Sequence, residues 1–246
     1  MLGIAGIAVF FAVGLIVSAR LIALWRRSLG LPELLAGLGL LGIGPLGFCV
    51  MMAGLMLFAD TTLASVCRVT GMGLQALGFV ATAVFTWRVF RPGSRWARGL
   101  STAICVSLGL TFVACALAPN RSGAMLLHHH LDVGLKIACL GWGALESLRY
   151  WRVTQRRVAL GLADPLVSAS FLAWGISLGA GALGFALIWM ALAALAPGER
   201  LGIGVQLALS ACGIAAAAGL YFAFLPPKAY ARWLATRATA RTVVVG

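Results

Sequence analysis

Apolar runs of about 20 residues recur along this chain, and they decide which solvent it folds in. Each is long enough to cross a hydrocarbon layer about 30 Å thick. No water reaches backbone groups inside that layer, so the runs are expected to be helices that satisfy their own N–H and C=O groups. Composition agrees: 62% of the 246 residues are hydrophobic and only 10% charged, where a soluble domain carries about 25% charged. The fold class read from this is an all-α polytopic membrane protein whose first partner is the lipid bilayer.

The runs place seven transmembrane helices, at about 2–18, 33–59, 69–90, 99–117, 131–146, 165–195 and 201–224. The second holds Gly44-Pro45, where a kink is expected because proline lacks an N–H. Basic residues set the orientation. Of 19 lysines and arginines, 15 fall in four clusters behind the first, third, fifth and seventh runs: Arg20, Arg26 and Arg27; Arg88, Arg91, Arg95 and Arg98; Arg149, Arg152, Arg156 and Arg157; Lys228, Arg232, Arg237 and Arg241. Cytoplasmic segments carry such an excess, so the N-terminus is expected outside and the C-terminus in the cytoplasm. No basic residue precedes the first run, which is therefore read as a retained helix and not a cleavable signal. The expected location is a cell membrane, multi-pass, of the bacterial inner-membrane kind. The net charge of +13 sits in these helix-end clusters, so no nucleic acid is expected as a partner.

The chain also repeats itself. Gly71-Met72-Gly73-Leu74-Gln75 returns as Gly202-Ile203-Gly204-Val205-Gln206, 131 residues later. Leu29-Gly30-Leu31-Pro32-Glu33 returns as Leu160-Gly161-Leu162-Ala163-Asp164 at the same offset. The segment from Phe90 through Pro92 to Arg98 returns from Phe224 through Pro226 to Arg232, at an offset of 134. Three matches in one order divide the chain into a first three-helix repeat at 1–98, a spacer helix and outer loop at 99–130, and a second three-helix repeat with a basic tail at 131–246. A single spacer helix leaves both units in the same orientation, so the expected plan is a 3+1+3 parallel repeat. That plan resembles the SWEET sugar transporters, whose sites lie near the midplane between parallel repeats. The chain departs from them in having no Pro-Gln dipeptide and no asparagine in any run. It also resembles the seven-helix, N-out plan of the rhodopsins, but its last run holds no lysine for a retinal Schiff base.

A few polar residues stand out against this apolar background. Gln75 and Gln206 lie inside spans, where an unsatisfied amide costs several kcal/mol. They are expected either to orient a ligand across the pseudo-twofold or to hydrogen-bond neighbouring helices. Asp132 and Lys136 are spaced i, i+4 on the fifth run, a spacing that forms an ion pair. Ionisable residues within a membrane are functional candidates, so Gln75, Gln206, Lys136 and Asp132 form the expected ligand-binding set. Glu33 and Asp164 open the second and sixth runs, where a carboxylate complements the helix dipole. Paired with Arg98 and Arg232, they would form cytoplasmic gating or structural ion pairs. His128 and His130, with Asp132, carry metal-ligand chemistry, although adjacent histidines on a helix point apart. Glu146 and Arg149 are read as a local i, i+3 pair. The six cysteines are scattered singly, with a disulfide conceivable at Cys67 and Cys115.

No nucleophile elbow, zinc-protease motif or phosphate loop occurs, so the chain is not read as an enzyme. The expected function is an integral membrane transporter, channel or ligand-binding protein. Its ligand would be a small apolar or weakly polar molecule, with a bound lipid fitting as well, held between two pseudo-symmetric halves. The alternative is a non-enzymatic seven-helix receptor or accessory subunit that docks another membrane protein. A homo-oligomer is compatible with either. Metal is not an expected cofactor.

Overall fold

The computed structural model describes residues 2–57, 62–117, 123–194 and 201–245, and they are helical almost throughout. The helices are α1 (Leu2–Ser28), α2 (Leu31–Leu41), α3 (Gly47–Leu57), α4 (Thr62–Phe90), α5 (Arg95–Leu117), α6 (Gly123–Ala159), α7 (Pro165–Ala194), α8 (Ile203–Phe224) and α9 (Lys228–Val245). The expected outer loops containing Asp60, Pro119 to Arg121 and Pro197 to Arg200 lie outside the described residues.

Polarity is arranged for a lipid solvent. Leu77, Leu110, Leu183 and Ile214 face outward, while Ser18, Thr86, Ser147 and Ser168 are sealed inside. A water-soluble bundle would show the reverse. The buried hydroxyls find partners on backbone carbonyls in several places: Thr86 donates to Thr82 at 2.9 Å and Ser147 to Phe171 at 2.7 Å. Six stretches are long and apolar enough to cross a membrane: 6–28, 31–54, 62–90, 95–117, 165–191 and 203–224. The protein is therefore a multi-pass helical membrane protein. α6 falls short of that standard because Asp132, Lys136, Glu146, Arg149 and Arg152 interrupt it.

α6 nonetheless runs beside α4 in the same direction through the depth of the bundle. Gln75 meets Lys136, Phe79 meets Cys139, and Arg91 meets Glu146. At a rise of about 1.5 Å per residue, its 37 residues extend roughly 55 Å.

The packing closes a ring. α1 packs on α2 and α8, α2 on α4, α4 on α6, α6 on α7, and α7 on α8. α5 covers the outer groove between α4 and α6. The closure between α1 and α8 depends on small residues: a Cβ on Gly213 would stand 2.7 Å from the Gly6 carbonyl oxygen. Close backbone approach of this kind drives helix association in lipid.

The kink expected at Gly44-Pro45 takes the form of a π-helical turn, Gly42–Leu46. Pro45 offers no N–H, and the wider turn hands carbonyls to later donors; Gly47 N–H reaches Gly42 O. This broken segment packs directly on α4, where a Cβ on Gly42 would meet the Leu74 carbonyl oxygen at 2.6 Å and one on Gly47 would meet Gln75 Cγ at 2.6 Å. The tail beyond Pro227, legible only as basic, forms α9, where Tyr230 and Trp233 stack at 5.9 Å and Arg237 lies 4.1 Å over the Trp233 ring.

Candidate functional site: a buried polar triad beside an apolar cavity

Three of the polar residues singled out in the sequence meet inside the bundle. Lys136 Nζ lies 2.6 Å from Asp132 Oδ2, one helical turn away, and donates to Gln75 Oε1 on α4 at 3.2 Å. All three residues are at most 5% exposed. Lys136 also stands 5.7 Å over the Phe79 ring, which adds a cation–π contact. The i, i+4 spacing explains the ion pair, and α6 lying parallel to α4 explains the third member. Charges this deep must be paired and hydrogen-bonded to be tolerated.

Gln206 takes a different role. Its Nε2 donates to the Leu201 carbonyl at 2.8 Å and closes the N-terminal turn of its own helix. The two copies of the Gly-x-Gly-x-Gln string fall at different depths, because α4 begins at Thr62, well before its copy, whereas α8 begins at Ile203 inside its own. A Cβ on Gly71 would lie 2.7 Å from the Gly47 carbonyl oxygen, whereas nothing stands within 4 Å of one on Gly202 or Gly204. The same five-residue pattern therefore serves close packing and burial in α4 and a local side-chain bond to the preceding backbone at the start of α8.

The cytoplasmic carboxylates also differ from the expected pairing. Among the described residues the ion pairs within 4.0 Å are Lys136–Asp132 and Arg91–Glu146. Arg98 instead lies 5.3 Å from the Trp87 ring, Glu33 folds back toward Gly30, and Asp164 Oδ1 accepts the Leu166 N–H at 2.8 Å as a helix cap. Arg232 serves α9 through its backbone carbonyl, which accepts from Thr236. Glu146 reaches across to Arg91 at 2.9 Å instead of pairing with Arg149 on its own helix, because Arg149 faces outward from the bundle.

At the histidine run, His130 Nδ1 accepts from Trp189 Nε1 at 2.6 Å and Asp132 is held by Lys136. No group of three His, Cys, Asp or Glu side chains converges as a metal site would require, among the described residues. The six cysteines are free thiols, so the conceivable Cys67–Cys115 bridge does not form.

The residues that line a cavity were not among those singled out in the sequence. A cavity of about 190 Å³ lies within the helix ring. Its wall is drawn from Phe10 and Phe11 of α1, Leu40 of α2, Ile43 of the π turn, Thr82 of α4, Leu140 of α6, Trp174, Gly184 and Phe185 of α7, and Leu209 and Cys212 of α8. The few hydroxyls on its wall are spent on carbonyls, Thr82 on Gly78 and Ser177 on Ala216, each at 2.9 Å. Apolar cavities of roughly 150 Å³ stay dry and accept single-ring hydrocarbons. Phe79, against Lys136 on one side, meets Phe185 of the cavity wall at 5.6 Å, ring edge to face. The polar triad and the cavity are thus separated by one pair of aromatic rings.

No family model, curated protein or solved structure matches this chain.

Proposed function

We propose that the chain is an integral membrane transport or ligand-binding protein for a small, apolar or weakly polar molecule. Its site is the cavity between two pseudo-symmetric halves. The observation that carries this reading is the cavity wall, to which α1, α2, α4, α6, α7 and α8 contribute and which is almost wholly apolar. A filled helix interface would have favoured an accessory subunit. Cavities of this size and lining hold uncharged molecules by apolar contact.

The parallel 3+1+3 repeat with seven crossings is part of the proposal. In its support, the packing pattern maps onto itself when α1, α2–α3 and α4 exchange with α6, α7 and α8: the α4–α6 contact becomes α8–α1. The two corresponding turns each contain a left-handed residue, Leu29 with φ 53° and Gly161 with φ 68°. The basic clusters all follow helices that point one way, in keeping with an outside N-terminus. The π turn and the buried triad are features of sites near the midplane, where broken helices line a cavity and intramembrane charges do work.

Native mass spectrometry on protein extracted gently from its membrane tests the reading. The expected spectrum carries a discrete, stoichiometric extra mass that is not bulk lipid, and Gly184→Phe removes it by filling the cavity. An adduct that survives Gly184→Phe unchanged, or an empty chain travelling with a second protein, overturns the proposal.

A further inference from the structure

The turn between α4 and α5 gathers positive charge that the described residues do not neutralise. Both helices are long and apolar enough to cross a membrane, so the turn that joins them, residues 91–94, sits at a membrane surface. Ser94 N–H donates to the Arg91 carbonyl at 3.1 Å and closes it. This tight return brings Arg98 of α5 back over Trp87 of α4. The Arg98 guanidinium carbon lies 5.3 Å from the centre of the indole ring, and that of Arg88 lies 4.6 Å from the same point. The two cations are thereby held within about 10 Å of each other, a range over which like charges still repel in dilute salt. Arg91 is paired with Glu146 at 2.9 Å. Arg88, Arg95 and Arg98 are exposed and have no carboxylate within 4.0 Å among the described residues. Other arginines stack on rings singly, Arg91 on Trp96 and Arg237 on Trp233; among the described residues, two guanidiniums meet one ring at Trp87 alone.

We infer that the α4–α5 turn binds the headgroup phosphate of an anionic phospholipid, with Arg88 and Arg98 as its ligands and Arg95 adding to the local field. A guanidinium presents paired donors in a planar fork that matches two phosphate oxygens, and stacking on an aromatic face holds the fork in place. Location selects a lipid over a soluble phosphate. Trp87 and Trp96 are of the residue type that settles at headgroup level, and Leu77 and Leu100, exposed on the same two helices, offer acyl chains an apolar wall. Nothing stands within 4 Å of a Cβ on Gly93 or Gly99, so among the described residues no side chain fills the space beside the turn. Net charge selects an anionic lipid over a zwitterionic one, because an unbalanced negative charge is what the three arginines lack. None of these residues lines the cavity, so this lipid is a second ligand, separate from the one proposed there.

The test titrates the full-length protein in detergent with dioleoylphosphatidylglycerol or dioleoylphosphatidylcholine and reads the first bound lipid of each by native mass spectrometry. The first phosphatidylglycerol is expected to bind about tenfold more tightly than the first phosphatidylcholine. Arg88→Gln combined with Arg98→Gln is expected to erase that preference. Arg152→Gln combined with Arg156→Gln removes the same charge from exposed positions on α6 and is expected to leave the preference intact. Neither double variant touches a buried ion pair, and unchanged SDS unfolding midpoints are expected for both. Glycerophosphoglycerol, the same headgroup without acyl chains, is expected to leave the bound lipid in place. Equal binding of the two lipids to the unmutated protein, or an equal loss of preference in the two double variants, overturns the site, since the charge would then act only as a diffuse field. Displacement of phosphatidylglycerol by the chain-free headgroup overturns the lipid as its occupant.

Discussion

Replacing Lys136 with methionine keeps the length and bulk of the side chain and strands Asp132. At the 2.6 Å separation of Nζ and Oδ2, the Coulomb attraction is about 6 kcal/mol at an effective dielectric constant of about 20. Most of that offsets the cost of desolvating two charges. Removing one partner takes away the attraction and leaves the cost: Asp132, its side chain 6% exposed, must ionise alone or take up a proton. The expected loss for Lys136→Met is about 3–5 kcal/mol. Asp132→Leu is expected to cost the same for the mirrored reason. The double variant removes both charges and is expected within about 1 kcal/mol of the unmutated protein, or above it. Gln75→Leu should cost about 1.5–3 kcal/mol, the value of a hydrogen bond to a charged group, and much less once Lys136 is gone. Unfolding in mixed micelles by added SDS, followed by circular dichroism, measures the parent and each of these variants. Single variants within about 1 kcal/mol of the parent, or a double variant whose loss is the sum of the singles, would refute a triad that acts as one closed unit.

Three further outcomes follow from particular contacts. Gly213→Leu should separate α1 from α8, since a Cβ there already lies 2.7 Å from the Gly6 carbonyl oxygen, and should lower stability by about 1–3 kcal/mol in the same titration. Arg91→Ala leaves Glu146, itself 7% exposed, without its cation and should cost more than Glu146→Gln, whose amide oxygen still accepts from Arg91 Nε; unfolding midpoints of the two variants decide the order. In a cysteine-free background, an impermeant maleimide should reach Ser94→Cys from the cytoplasmic side and Gly202→Cys from the outer side, and the opposite pattern would reverse the proposed orientation.

The sequence carried the solvent, the helices and the intrahelical pair, because each depends on residues close together along the chain. Apolar run length marks a span, and four residues of separation put Asp132 under Lys136. Gln75 was conspicuous for the same reason, an amide in a hydrocarbon segment. Its partner lies 61 residues away, and that contact is set by the register of α4 against α6, which no local pattern encodes. Glu146 gives the same lesson: Arg149 is near in sequence, yet Arg91 is the residue that α4 brings alongside. The repeated glutamines diverge because helix starts move while motifs do not. The cavity was illegible for a further reason. α7 and α8 are apolar on every side, so composition cannot separate a lipid-facing leucine from one that lines a chamber. Trp174 looks, from sequence, like any other aromatic residue in a span.

An experimental structure of the protein prepared in nanodiscs from its own membrane, at a resolution that separates side chains, tests the central claim most directly. The account predicts density inside the helix ring, distinct from annular lipid, lined by α1, α2, α4, α6, α7 and α8 and touching Trp174. A ring closed by its own side chains, with Phe10, Leu140 and Phe185 collapsed into the space, would contradict it.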